Sequence, residues 1–206
     1  MYFENLSTQL GDHLGTKVTI VPGKKQGSGK ISLSFYSNEQ FEGILERLDF
    51  KFDDLEYIEV HNPTKADVPL AGLTLVYKGS VKHTIGSKAP AVKAGGYAVL
   101  ARSGKTTDNG MLPAMVTYVY TQIGMSNSSG DIAVLSGKTE IDKVSYSKSK
   151  PWPGIVLGQT IQLSSSKLTA DNNAGANWCQ STAPFTSKSF PAVLKGSPGK
   201  ANAACK

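Results

Sequence analysis

The first fifty residues place apolar side chains at two different spacings, which predict helices flanking a pair of strands. Leu6, Leu10 and Leu14 recur every four residues and so form one helical stripe, and Gly15 follows as a stop signal. Residues 17–20 and 31–36 alternate instead with the period of a strand, on either side of a turn rich in glycine and lysine. We therefore expect a helix followed by a hairpin with one apolar face.

A second helix is predicted after the hairpin. Ser37 and Gln40 have the spacing of a capping box, in which the side chain of each residue accepts a hydrogen bond from the backbone N–H of the other. The apolar stripe that follows has helical spacing and consists of Phe41, Ile44, Leu45 and Leu48. A unit of about fifty residues has a marginal core on its own, so self-association is the simplest source of further burial. This α-β-β-α pattern is typical of a small dimerisation unit.

Short β runs separated by turn pairs fill the rest of the chain. The candidate strands are residues 57–60, 73–77, 96–101, 115–120, 131–135, 140–146 and 160–163. Turn signals include Asn62-Pro63, Gly95-Gly96, Asn109-Gly110 and Ser129-Gly130. No strand alternates regularly with a helix, which disfavours a parallel α/β fold and favours a mainly β protein with a β-sandwich.

A further short alternating run precedes the first candidate strand. Leu48, Phe50 and Phe52 alternate at the end of the second helix, directly before the first candidate strand. If they do not pair with that strand, its edge stays open, which is a liability for aggregation.

Composition and charge separate the two parts further. The chain of 206 residues carries a net charge of +6, yet residues 1–50 have five basic and six acidic side chains. The positive charge therefore belongs to the β part, where lysines are scattered, and scattered lysines form a solvated surface unless they cluster on one face. No stretch approaches the roughly 20 apolar residues of a membrane span, and residues 1–4 do not resemble the start of a secretion signal.

Candidate chemistry is sparse. None of the histidines has another ligand at metal-binding spacing, and we expect all three at the surface or at an edge: His13, His61 and His83. An acidic run opens the first β strand, and we interpret it as a solvated strand start: Asp53, Asp54, Glu56 and Glu59. No nucleophile elbow, P-loop or HExxH motif is present. We therefore predict no catalytic residue, no metal, no cofactor and no enzymatic activity.

Residues 5–50 carry a family resemblance. Residues 14–25, 29–41 and 44–48 read LGTKVTIVPGKK, GKISLSFYSNEQF and ILERL. Together they resemble the C-terminal dimerisation domain of the chromosome-partitioning protein ParB. The resemblance implies a homodimer through residues 1–50, in which second helices and strands interlock through Phe35, Phe41, Ile44, Leu45 and Leu48.

The same resemblance implies contacts with DNA. In that family lysines on the sheet bind phosphates without sequence preference, which corresponds here to Lys17, Lys24, Lys25 and Lys30. The alternative is that these lysines only keep a tight hairpin turn soluble. The chain contains no helix-turn-helix and no nucleotide-binding part, so alone it is not a partitioning protein.

Residues 54–205 resemble a different family. The stretches LEYIEVHNP (55–63), LAGLTL (70–75), KAGGYAVL (93–100), GDIAVL (130–135), IDKVSY (141–146), NWC (177–179) and GSPGKAN (196–202) occur in the order of the lamin-tail domain. That domain is an immunoglobulin-like β-sandwich of bacterial secreted proteins and nuclear lamins. The resemblance implies such a sandwich over residues 51–206, with a protein partner.

The lamin-tail resemblance also implies a role for the two cysteines. Similar bacterial domains carry cysteines at both places, so we expect a disulfide between Cys179 and Cys205, contributing around 3 kcal/mol through loop closure. Trp178 would be a buried anchor beside it. The alternative is a pair of free thiols, as in a reducing cytoplasm.

Two functions remain open. The first is a non-enzymatic dimeric binding or structural protein that presents a lamin-tail domain; the second is nonspecific DNA binding through the hairpin lysines. The N-terminal unit indicates the bacterial cytoplasm, whereas the β part and its cysteines indicate secretion or the cell surface. No Pro/Ser-rich linker separates the parts, and this abrupt join indicates a fusion, whether engineered or produced by recombination.

Overall fold

The chain forms two compact units, residues 1–52 and 53–206, each described by itself. The computed structural model describes residues 2–48, 55–111, 113–156, 158–168, 172–185 and 194–206. Among these, no helix is both long and apolar enough to cross a membrane.

The first unit has the predicted order of elements. Helix α1 (Tyr2–Leu14) is followed by strands β1 (Val18–Pro22) and β2 (Gly29–Leu33) and by helix α2 (Asn38–Arg47). Gly15 ends α1 with a φ of +66°, a conformation that glycine adopts without strain. The helix begins four residues before the first leucine of the predicted stripe and has the acidic side chain of Glu4 in its first turn.

The capping box and the hairpin register are also present. The backbone N–H of Gln40 donates to Ser37 Oγ at 3.2 Å, and Gln40 Oε1 accepts from the N–H of Tyr36 at 2.8 Å. The return bond thus reaches one residue further back than in the usual box. In the hairpin, Val18 faces Leu33 and Ile20 faces Ile31, so these apolar side chains share one face.

The second unit is built mainly of strands. In chain order these are β3 (Tyr57–His61), β4 (Val68–Pro69), β5 (Leu73–Tyr77), β6 (Val81–Thr84), β7 (Ala91–Val92), β8 (Tyr97–Ala101), β9 (Tyr118–Val119), β10 (Ser129–Ser136), β11 (Thr139–Ser147), β12 (Ile161–Leu163), β13 (Trp178–Gln180), β14 (Pro184–Phe185) and β15 (Leu194–Lys195). A short helix α3 (Thr106–Asn109) and 3₁₀ turns at Pro113–Met115, Ser165–Lys167 and Gly175–Asn177 connect them.

Two sheets share the main core of this unit. One has the strand order β11-β10-β5-β6 and the other β3-β8-β9, and all their pairs are antiparallel except β8 with β9. Leu75 of β5 and Leu100 of β8 belong to the same buried cluster, so the two sheets pack against each other. The remaining strands form two-stranded pairs, β4 with β7, β12 with β13 and β14 with β15.

Strand β8 is buried on both faces. Ala98 and Leu100 lie in the core between the two sheets, whereas Val99 and Ala101 pack with Met111 on the opposite side. This explains why residues 97–101 form a continuous apolar run rather than an alternating one. The second face of β8 carries the layer that includes Tyr57 and Phe185.

A buried asparagine holds the turn after β3. Asn62 is 4% exposed, and its amide donates to the carbonyls of Ala66, Val92 and Lys93 at 2.8, 3.0 and 3.1 Å. Its oxygen accepts from the N–H of Thr64 at 3.0 Å. The predicted turn at Asn62-Pro63 is therefore held by side-chain bonds to strands far along the sequence.

Some predicted elements differ from the structure. Residues 115–120 form only the two-residue strand β9, because a 3₁₀ turn that begins at Pro113 occupies the preceding positions. His83, which lies outside the candidate strands of the sequence analysis, belongs to β6 and pairs with Leu75. Most of the strand predicted from Leu48, Phe50 and Phe52 lies outside the described residues. Asp53 and Asp54 also lie outside them.

The edge strand β11 is partly paired by a side chain. Asn173 Oδ1 accepts from the N–H of Ser145 at 2.8 Å, and Asn173 Nδ2 donates to the carbonyl of Lys143 at 2.9 Å. One carboxamide therefore bonds the same two groups of the backbone edge that a neighbouring strand would use.

Candidate functional site

The side chains predicted for the dimer interface differ in their accessibility within the first unit. Phe35 and Leu48 are 50% and 51% exposed, whereas Ile44 is 2% exposed and belongs to the unit's own core. Phe41 and Leu45 are partly buried, and the rings of Phe35 and Phe41 lie 4.7 Å apart. A partner can thus reach Phe35 and Leu48 in this conformation, whereas Ile44 is buried within the unit.

An apolar strip on β2 adds to these residues. Ile31 and Leu33 are 62% and 37% exposed and lead directly to Phe35. We call Ile31, Leu33 and Phe35 the β2 strip. Ile31 and Leu33 were not among the predicted interface residues, although their alternation with polar neighbours was the signal that could have found them. Neighbouring exposed apolar side chains of this kind are typical of a surface that another protein covers.

The four lysines occupy a different side of the hairpin. Lys30 pairs with Val21, and the N–H of Ser34 donates to the carbonyl of Lys17 at 3.0 Å, which continues the same register. Since facing residues share a face and successive residues alternate, Lys17 and Lys30 lie on the face opposite the β2 strip. Lys24 and Lys25 lie in the connecting turn, and all four lysines are exposed. The hairpin therefore has one apolar and one cationic side.

The two cysteines of the second unit are joined in a disulfide. Cys179 of β13 bonds Cys205 across a sequence separation of 26 residues, with their Cα atoms 5.7 Å apart. The expected bridge is present. Beside it, Trp178 is only partly buried, in contrast to our expectation; its ring lies 5.5 Å from that of Trp152, which is the more buried of the two.

The bridge fastens a segment that belongs to no strand. We call residues 199–206 the strap; it follows the buried residue Pro198. The Asn202 amide donates to the carbonyl of Leu163 at 3.1 Å, and the Gln162 amide donates to the carbonyl of Ala203 at 3.2 Å. The N–H of Cys205 donates to Ser164 Oγ at 3.0 Å. The strap therefore runs beside β12.

The other end of the strap bonds Glu59 of β3. The N–H of Gly199 donates to Glu59 Oε2 at 2.6 Å, and burial of the carboxyl raises its pKa above the usual 4.5 to about 7. Burial likewise raises the pKa of the Tyr57 phenol, whose oxygen lies 2.7 Å from Thr160 Oγ1. The prediction of a solvated strand start is therefore wrong for Glu59, which is partly buried and accepts a hydrogen bond from a segment 140 residues further along the chain.

The histidines and the other acidic side chains make local contacts. His61 stacks on Tyr97 at 4.6 Å, and His83 Nε2 lies 3.0 Å from the Tyr118 hydroxyl. Partial burial lowers the pKa of His83. Glu56 accepts from the N–H of Met125 at 2.8 Å. Within the described ranges, no three His, Cys, Asp or Glu side chains are grouped closely enough to hold a metal ion.

Comparison with known proteins identifies one part of the chain. Residues 3–49 match the family model of the ParB dimerisation domain. No curated protein and no solved structure matches the chain. The matched residues cover α1, the hairpin and α2, so the cationic and apolar faces described above both lie within the region of similarity.

Proposed function

We propose that this chain is a non-enzymatic homodimeric binding or structural protein, in which residues 1–50 dimerise and the β unit is an immunoglobulin-like lamin-tail domain. The proposal of a homodimer rests on the exposed β2 strip and the exposed Leu48, which lie in the region that matches the ParB dimerisation domain. Covering such side chains stabilises an assembly by about 25 cal/mol for each Å² of apolar surface removed from water. A second copy offers the same side chains and so covers both strips at once.

The architecture of the β unit supports the proposal that it is an immunoglobulin-like lamin-tail domain. Its two main sheets share one core, and their pairing is antiparallel apart from the short contact between β8 and β9. The unit also contains several two-stranded pairs and one disulfide. A dimer of such chains carries two copies of the domain, which increases its avidity for a partner with repeated sites.

Sedimentation velocity on single substitutions tests the dimer. Phe35→Asp and Ile31→Asp each place a charge within the β2 strip, and we expect each to weaken dimerisation at least tenfold, because a buried unpaired carboxylate costs several kcal/mol. Thr19→Asp is the matched control, since Thr19 is exposed on the opposite face of the same hairpin. A monomeric wild-type chain, or equal weakening by all three substitutions, would contradict the proposal.

The cationic face of the hairpin favours a second candidate function, nonspecific DNA binding. Lys17 and Lys30 share one exposed face and Lys24 and Lys25 extend it at the turn, an arrangement suited to phosphates. Each phosphate contact contributes about 0.9 to the slope of log affinity against log salt concentration. A salt titration with duplex DNA tests this role.

The lysine variants sharpen that experiment. Replacing Lys17 and Lys30 together by alanine should lower the salt slope by about 2 if each contacts a phosphate. Lys138→Ala is the control, because Lys138 is an exposed lysine in a turn of the second unit. No binding at low salt, or a slope unchanged by the double substitution, would eliminate this candidate.

A further inference from the structure

The strap has little apolar surface with which to hold itself in place. Residues 199–206 read GKANAACK, and most of them are exposed. None carries a large apolar side chain, and the two described core clusters contain no residue of the strap. Ordering eight residues nevertheless costs conformational entropy at each of them. Burial alone therefore does not account for the docked strap.

Its docking rests on the disulfide and a few polar bonds. The bonds of Asn202, Ala203 and Cys205 to β12 and Ser164 all lie within three residues of the bridge. The bond of Gly199 to Glu59 lies at the other end. Since individual hydrogen bonds between protein groups replace bonds to water, each contributes little net stability. The covalent bridge keeps these groups at high effective concentration, and without it most of them would exchange with water.

We propose that the Cys179–Cys205 bridge is a redox latch whose reduction releases the strap from β12 while the rest of the β unit stays folded. The reductant is a dithiol: one of its thiolates attacks a sulfur of the bridge and forms a mixed disulfide, releasing the other cysteine as a thiol. The second thiol of the reductant then displaces the remaining cysteine. Two cysteine thiols and one oxidised reductant result, so atoms and electrons balance.

Release would uncover a preformed patch on β12. Gln162 faces Cys179 across the strand pair and is only 5% exposed beneath the strap. Among the described residues, no hydrogen-bond partner reaches its side-chain oxygen, which is buried. Undocking would also remove the bond that the N–H of Gly199 donates to Glu59. The reduced protein thus presents the amide of Gln162, which the oxidised protein keeps covered, and a carboxyl group that has lost its bond to the strap.

The release should stay local because the strap lies outside the cores. Strands β12 and β13 remain paired through their own register, Ile161 with Gln180 and Leu163 with Trp178. Pro198, the residue before the strap, is buried and marks where the fixed part of the chain ends. Segments with few apolar contacts and exposed hydrogen bonds are those that open without global unfolding.

Hydrogen exchange of the full chain, read by mass spectrometry with and without dithiothreitol, tests the latch. We expect exchange of the two strap amides that are bonded to the rest of the unit, those of Gly199 and Cys205, to accelerate on the order of a hundredfold on reduction, the scale of the lost loop constraint. Residues 97–101 of β8 should exchange at an unchanged rate. Cys205→Ser should show the fast exchange in both conditions, and dithiothreitol should add nothing to it.

A second measurement separates release from general loosening. Because the N–H of Gly199 donates to Glu59 Oε2, the NMR shift of the Gly199 amide proton should follow the ionisation of that carboxyl in the oxidised protein and should no longer follow it in the reduced protein. Equal protection of the strap in both redox states would overturn the proposal. So would loss of protection in β8 together with the strap, since the bridge would then support the whole unit. The wild-type comparison stands even if Cys205→Ser fails to fold.

Discussion

Glu59→Gln should stabilise the protein at neutral and alkaline pH. In the wild type, burial raises the pKa of Glu59 to about 7, so the folded state favours the protonated carboxyl. The contribution of Glu59 to the free energy of unfolding is fully favourable below pH 4.5, the pKa of the carboxyl in the unfolded chain. It is lost as the pH rises toward 7. Glutamine is neutral at every pH, and its oxygen can still accept the bond from Gly199. The substitution therefore removes the loss of stability at high pH without removing the hydrogen bond from Gly199.

The expected magnitude follows from the two pKa values. A tenfold change in an ionisation equilibrium corresponds to about 1.4 kcal/mol, so a fully shielded carboxyl would destabilise the folded protein by about 3 kcal/mol at pH 8. Solvent reaches part of this side chain, which weakens the effect. We therefore expect Glu59→Gln to gain about 1–2 kcal/mol relative to the wild type at pH 8 and almost nothing at pH 4.5.

Urea unfolding of both proteins between pH 4.5 and pH 8 measures this difference. Comparing the two proteins at each pH cancels the contributions of all other ionisable groups, which both proteins share. Glu140→Gln is the control, because Glu140 is exposed on β11 and its replacement should not change the pH dependence. If the difference in free energy of unfolding between Glu59→Gln and the wild type is constant from pH 4.5 to pH 8, burial does not raise the pKa of this carboxyl.

Three further substitutions test the packing, each measured by the free energy of unfolding. Asn62→Ala should destabilise the β unit by about 3 kcal/mol, because several buried carbonyls lose their donor; a loss below 1 kcal/mol would contradict this. Gly130→Ala should cost about 2 kcal/mol, since its Cβ would lie 2.7 Å from the Tyr77 hydroxyl. Gly43→Ala in α2 meets no atom within 4 Å and should instead stabilise the first unit by about 0.5–1 kcal/mol; equal effects of the two glycine substitutions would refute the packing argument.

Local patterns predicted the first unit and the longer strands. The leucine stripe, the Ser37 and Gln40 capping box and the alternation around the hairpin each depend on residues a few positions apart. Strands such as β5 and β10 were found for the same reason. Strands of two residues, such as β4 and β14, are too short for an alternation to appear. They form because their partners elsewhere in the chain position them.

The environment of Glu59 illustrates what the sequence alone could not provide. Its position in β3 was predicted, but its burial and its bond to Gly199 arise only in the folded chain. Likewise, the alternation of β2 predicted an apolar face, yet which part of that face stays exposed depends on how α1 and α2 cover it. Local spacing determines the direction of a side chain, whereas tertiary packing determines whether water reaches it.

The carboxamide of Asn173 has a consequence for how the protein behaves at high concentration. β11 is nine residues long and lies at the end of its sheet, where a free backbone edge could be extended by a strand from another molecule. By bonding Lys143 and Ser145, Asn173 already occupies the middle of that edge and interrupts any continuous ladder. One side chain thereby hinders the addition of a strand from another molecule at this edge of the sheet.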